Sequence, residues 1–239
     1  MKRLSSITIL AFVVIVLFCV GQAFGGMYKA GTYKASAKGK SKKVPVTVEV
    51  TVSASKIKEI KIVSHHESTY LKEKESAKMK KIGEAVEASL TKVPTSIVKA
   101  NSIDVDAVAK ATITSNAVMV AVAKALNKAI VSPKYKPGTY KASAKGKSKK
   151  VPVTVEVTVS ASKIKEIKVL SHKESVHLKD SKSAKMKKIG EATEAALTKI
   201  PANIVKTNSI HVDAVAKATR TSNAVVIAVA KALEQARVK

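Results

Sequence analysis

A block of 31 residues, GTYKASAKGKSKKVPVTVEVTVSASKIKEIK, begins at Gly31 and begins again at Gly138 without a substitution. The 107-residue offset then persists through His65 and His172, Gly83 and Gly190, Pro94 and Pro201, to Asn116 and Asn223. Such a period is far too long for a solenoid unit and matches a small domain. The chain therefore divides into a first domain over residues 26–130, a linker over residues 131–137 and a second domain over residues 138–239. Pro133 and Pro137 make that linker short and stiff.

Each repeat carries the same local pattern. Residues 32–38 suit a first strand, bounded by Gly31 and Gly39, and residues 40–43 form a basic turn. Val44, Val46, Val48, Val50 and Val52 alternate with polar residues and Pro45, the period of a half-buried strand. Residues 53–55 turn the chain into a further strand over residues 56–64, giving an antiparallel pair. The spacing then becomes helical, with Met79, Ile82, Val86 and Leu90 on one side until Pro94, which is expected to end the run. Ile97 and Val98 suit a short helical turn, and residues 117–129 predict a helix with Val118, Val122, Ala125 and Leu126 on its apolar side. Strands followed by helices, without strand-helix-strand alternation, predict an α+β fold: two tandem small domains, each an antiparallel sheet packed against helices.

Composition sharpens this. There is no Trp and aromatics are 3%, so the core is drawn mainly from Val, Ala and Ile, with a β-branched sheet set against Ala-rich helices. Lys and Arg number 44 against 17 Asp and Glu, a formal charge of +27. That field attracts polyanions. Arg occurs only at Arg3, Arg220 and Arg237, and because base and phosphate recognition favours the guanidinium fork, specific nucleic-acid reading is not expected.

Residues 1–25 read as an export signal peptide: Lys2 and Arg3 open it, an apolar stretch runs over residues 7–20, and small residues precede Gly26. The expected location is the periplasm or extracellular envelope, with an uncleaved N-terminal anchor as the runner-up. Cys19 is the only cysteine, and its bulky neighbours Phe18 and Val20 fit a lipid-attachment site poorly. Disulfide, thiolate and cysteine-ligated metal chemistry are therefore not expected of the exported chain.

The polar segment VDAVAKATITSNA over residues 105–117 returns as VDAVAKATRTSNA over residues 212–224. Asp106 and Ser115 could each cap a helix, or the Thr-x-Thr-Ser-Asn run could open a ligand site where free N–H groups meet solvent. His65, His66 and Glu67 at a strand end suggest metal or acid-base chemistry, but the second copy has Lys173 in place of His66. That break, and the unmatched His177 and His211, argue against a repeated metal site. The basic turns over residues 38–43 and 145–150 read as solvated hairpin turns that could touch an anionic surface.

Taken together, the Gly-Thr-Tyr opening, the Val-rich hairpin, the Ser-His-x-Glu strand end and Val-Asp-Ala-Val leading to Ala-Thr-x-Thr-Ser-Asn-Ala resemble the small FMN-binding domain. That domain is found in peripheral subunits of sodium-translocating quinone reductases, in related electron-transfer complexes and in exported flavoproteins. The resemblance implies FMN as cofactor, covalently held by a phosphoester to Thr112 and Thr219 that a Mg²⁺-dependent flavin transferase makes. It implies Asp106 and Asp213 as the acidic start of the transferase signature. Thr114, Ser115, Asn116, Thr221, Ser222 and Asn223 would lie around the phosphate and ring, with His65, Glu67, His172 and Glu174 near the flavin from the strand end. The family's signature has Ser/Thr-Gly where this chain has Ala109-Lys110 and Ala216-Lys217, so a positive φ that Gly allows is in question there.

Two functions remain open from the sequence. One is an exported electron carrier with up to two flavins, passing electrons between membrane or extracellular redox partners, and closer to a carrier than to a substrate-specific enzyme. The other is a cofactor-free basic module that binds anionic polymer, lipid or an acidic protein at the envelope.

Overall fold

The computed structural model describes residues 27–41, 43–131, 135–148 and 150–238. The expected signal peptide and residues 132–134 of the expected linker lie outside the described residues. Among the described residues, no helix is long and apolar enough to cross a membrane.

In the first repeat, β1 (Gly31–Ala37), β2 (Val46–Val52) and β3 (Ile57–Ser64) form an antiparallel sheet in the order β1-β2-β3. Helices α1 (Ala77–Ala100) and α2 (Thr112–Ala129) follow. The second repeat has β4 (Gly138–Ala144), β5 (Val153–Val159) and β6 (Ile164–Ser171), then α3 (Ala184–Thr207) and α4 (Thr219–Ala236). The chain is thus two tandem α+β units, each a three-stranded antiparallel sheet packed against helices. Their register is identical: Tyr33 faces Val50 as Tyr140 faces Val157.

Period-two alternation explains the sheets. Val46, Val48, Val50 and Val52 are fully or almost fully buried, because successive side chains of a strand point to opposite faces. The outer face is polar, and cross-strand pairs join Thr32 to Thr51 and Ser36 to Thr47 at 2.9 Å each.

Helix α1 departs from expectation. It continues through Pro94, which sits buried inside it, and ends only at Asn101. Pro94 removes one backbone donor, but burial of Val93, Pro94 and Ile97 on the sheet side holds the last turns in place. The buried face also differs: it runs through Gly83, Val86, Ser89, Val93 and Ile97, while Met79 is exposed and Ile82 and Leu90 are half-buried. Asn101 stops the helix in the left-handed region at φ 50°. Its side chain accepts from Ile57 N at 2.7 Å and donates to Ser55 O at 3.1 Å, pinning the helix end to the start of β3.

Helix α2 begins at Thr112, five residues earlier than the apolar pattern suggests, so the polar motif is its first turn. It is buried almost all round, as expected of a helix covered on several sides. It packs on β1 and β2, α1 flanks it, and α4 of the other repeat lies against it. Ala117, Ala121 and Ala125 are fully buried and small enough for close approach. The buried residues of both repeats join in one continuous core. Around it, Arg237 Nη1 donates to Tyr28 Oη at 2.7 Å, Lys231 pairs with Asp104 at 2.6 Å, and Ile103 N donates to Glu234 at 3.2 Å.

Candidate flavin site

The start of α2 is shaped by the three residues before it. Lys110 has φ 67° and Lys217 has φ 68°, so lysine takes up the left-handed conformation at the positions where the related signature has glycine. Ala111 and Ala218 then precede α2 and α4, and no side chain caps either helix start. The capping alternative therefore fails. Asp106 is exposed and ahead of the helix, and Ser115 lies inside it. Ser115 Oγ instead accepts from Val108 N at 3.0 Å, closing the turn that leads in, as Ser222 does for Val215. Uncapped first-turn N–H groups, with the partial positive charge of the helix end, suit an anion.

Thr112 and Thr219 are the first residues of these helices, and each is half-buried. Thr114 and Thr221 are buried, and each donates to a carboxylate at 2.5 Å: Thr114 to Glu67, Thr221 to Glu174. Glu67 also accepts from Lys40 N at 2.9 Å and Ser41 N at 3.4 Å. It therefore clamps the basic turn to the helix start. A Cβ on Gly39 would overlap that carboxylate, and one on Gly146 would overlap Glu174, which explains glycine at both positions. His65 and His172 are exposed; each ring accepts, through Nδ1, from the backbone N–H of Glu67 or Glu174 at 3.3 Å.

Beside α4 lies an open cavity of about 1050 Å³, lined by Lys217, Ala218, Thr219, Arg220 and Thr221 of the helix start and by Lys185, Lys188, Ile189 and Thr193 of α3. Lys38, Gly39, Lys40, Ser41 and Ile113 of the first repeat complete it, with Lys147 from the second. The lining thus holds seven cationic side chains and no acid. Its size is at the upper end for organic-ligand cavities.

The remaining expected residues are not gathered there. Asp213, Ser222 and Asn223 line a separate cavity of about 180 Å³ with Lys124, and Asp106 and Asn116 line another of about 210 Å³ with Lys231. Burial lowers the pKa of Lys124, and Asp213 partly opposes that shift. Asn116 and Asn223 are buried, and their amides reach into the opposite repeat: Asn116 Nδ2 donates to Lys145 O at 2.8 Å, Asn223 Nδ2 to Lys38 O at 2.9 Å. Among the described residues, no group of three or more His, Cys, Asp or Glu is placed to hold a metal ion.

The sequence suggests solvated hairpins for the basic turns; the structure makes residues 38–41 a wall of the large cavity. The available signal was the Gly within a Lys-rich turn, together with a Glu 28 residues further on that a strand end brings back to it. The model of the FMN-binding domain matches residues 39–127 and again residues 146–234, each match opening at the glycine of a basic turn and closing within the helix that the motif begins. These two matches cover well over half of the chain, which belongs to the FMN-binding domain family.

Proposed function

We propose that this chain binds FMN at the starts of α2 and α4 and works as an electron carrier outside the cytoplasm. The observation that carries this reading is the uncapped start of α4 opening on a cavity lined by seven cations, in a chain whose repeats both match the FMN-binding domain. When bound, the flavin supplies the capacity to take up and release electrons. The chain's own residues bind and orient it. The first-turn N–H groups and Lys217 would hold the phosphate, with Lys185 and Lys188 of α3 neutralising its remaining charge. Thr112 and Thr219 would be the attachment points, because each is a half-exposed residue at its helix start and so within reach of a transferase. The polar side chains of the lining are Ser and Thr hydroxyls and cations, which suit binding and positioning better than acid-base work on a substrate. The signal-like residues 1–25 support export, and with it redox partners at the membrane or beyond.

The test is intact mass and absorbance of the protein co-expressed with a flavin transferase. The expected gain is two FMN groups, abolished by Thr112→Val with Thr219→Val. An unchanged mass together with a colourless protein after incubation with FMN would overturn both covalent and noncovalent binding.

A second reading, a cofactor-free basic module, is favoured by one observation: the cavity lining contains no aromatic side chain on which a flavin ring could stack. It predicts retention on heparin or anionic vesicles that falls steeply with salt, in protein that takes up no FMN.

A further inference from the structure

The large cavity beside α4 does not belong to one repeat. Its floor and one wall come from the second repeat, but Lys38, Gly39, Lys40 and Ser41 of the first repeat form another wall. Two interactions fix that wall from opposite sides. Within the first repeat, the Glu67 carboxylate accepts from Lys40 N and Ser41 N. From the second repeat, the buried Asn223 side chain, one residue beyond the first turn of α4 proper, donates to Lys38 O at 2.9 Å.

The arrangement is reciprocal: Asn116 donates to Lys145 O at 2.8 Å, and Glu174 accepts from Lys147 N at 2.8 Å and Ser148 N at 3.3 Å. A buried amide left without its acceptor is costly, and so is a bare carbonyl. Each Asn is therefore committed to the opposite turn, and the turn is held in place before any ligand arrives. Pre-ordering of this kind favours binding because the ligand does not have to order the loop.

We propose that each FMN site is composite: the helix start of one repeat provides the anion-binding end, and the basic turn of the other repeat adds its cations to those of the first, as Lys38 and Lys40 join Lys147, Lys185, Lys188, Lys217 and Arg220 beside α4. Lys38 serves the site at Thr219, and Lys145 serves the site at Thr112. The two sites are then an obligate pair, and this explains why the repeats share one core instead of standing as separate carriers. The inference rests on the FMN reading above.

Charge reversals in the full chain test it, read by titration with FMN for stoichiometry and affinity and by thermal unfolding for integrity. Lys38→Glu alone and Lys217→Glu alone should each weaken one of two sites by about tenfold. If they serve the same site, Lys38→Glu with Lys217→Glu leaves one site at wild-type affinity, whereas Lys38→Glu with Lys110→Glu weakens both. The reverse pattern overturns the composite site while leaving FMN binding intact. Equal weakening by Lys92→Glu, on the exposed side of α1, would reduce the effect to overall charge and also overturn it. Should a reversal impair folding, Lys38→Gln gives the same pattern with a smaller change. Wild-type protein that takes up no FMN overturns the binding reading itself, and the composite site with it.

Discussion

Thr114 donates its hydroxyl to the buried Glu67 carboxylate at 2.5 Å, and that carboxylate also holds the backbone of the basic turn. One side chain thus links the helix start, the end of β3 and the turn after β1. Glu67→Ala leaves three donors without a partner and is expected to destabilise by about 2–4 kcal/mol. Glu67→Gln keeps one carbonyl oxygen for the turn, and because the Thr hydroxyl can accept from the new amide, about 1 kcal/mol is expected. Urea unfolding of both variants, with a double-mutant cycle through Thr114→Val, checks the order and the coupling.

Lys110 and Lys217 occupy the left-handed region, at φ 67° and 68°. A β-carbon there costs about 1–2 kcal/mol, and glycine gives back roughly 0.5–1 kcal/mol of that through its freer unfolded chain. Lys110→Gly is therefore expected to stabilise by up to about 1 kcal/mol, and Lys110→Val to destabilise by more than about 1 kcal/mol. Denaturant midpoints decide. If glycine destabilises while valine is neutral, the backbone at residue 110 is not left-handed in solution.

What could be read from the sequence divides by distance along the chain. The valine alternation of β2 and the apolar side of α2 depend on neighbours a few residues away, so strand and helix periods show them directly. The passage of α1 through Pro94 depends on burial against a sheet formed 30 or more residues earlier, which no local pattern carries. Nor does lysine at residue 110 signal positive φ, since only the surrounding turn imposes it. Within the candidate site, the helix starts were visible as a repeated motif. The Glu67 clamp joins residues 47 apart and the Asn223 contact joins residues 185 apart, so both needed the fold.

Gly83 sets helix propensity against packing. Alanine is better than glycine inside a helix by about 0.8–1 kcal/mol, so propensity alone predicts that Gly83→Ala stabilises. A Cβ at that position, however, would overlap the Leu71 and Lys72 backbone of the 3-10 segment Ser68–Glu73. Backbone yields poorly, so a net loss of about 1–3 kcal/mol is expected. Gly190 faces Leu178 and Lys179 in the same way. Gly190→Ala should therefore match Gly83→Ala, and a stabilised variant in either repeat would show that the 3-10 segment moves away freely.

His211 replaces Asp104 at the matching position of the other repeat, and the exchange changes a contact between repeats. Asp104 pairs with Lys231 at 2.6 Å, whereas His211 places Nε2 2.8 Å from Lys124 O. Partial burial lowers the His211 pKa, as do the charges of Lys124 and Lys128, while the bond to the Lys124 carbonyl opposes them. The unfolded chain therefore binds this proton more readily than the folded one. Stability from neutral His211 is complete above about pH 6.5 and declines as pH falls through that value. His211→Asp restores the pattern of the other repeat and gives the half-buried Lys124 ammonium a carboxylate partner. A carboxylate so paired has a lowered pKa, so its contribution is present above about pH 4 and lost only below it. The difference in unfolding free energy between variant and wild type should thus grow in favour of the variant between about pH 7 and pH 5, by a fraction of about 1 kcal/mol because the ring is partly in solvent. Urea titrations of both proteins across that range measure it. A difference that stays flat through pH 6.5 would mean that His211 titrates alike in the folded and unfolded chains.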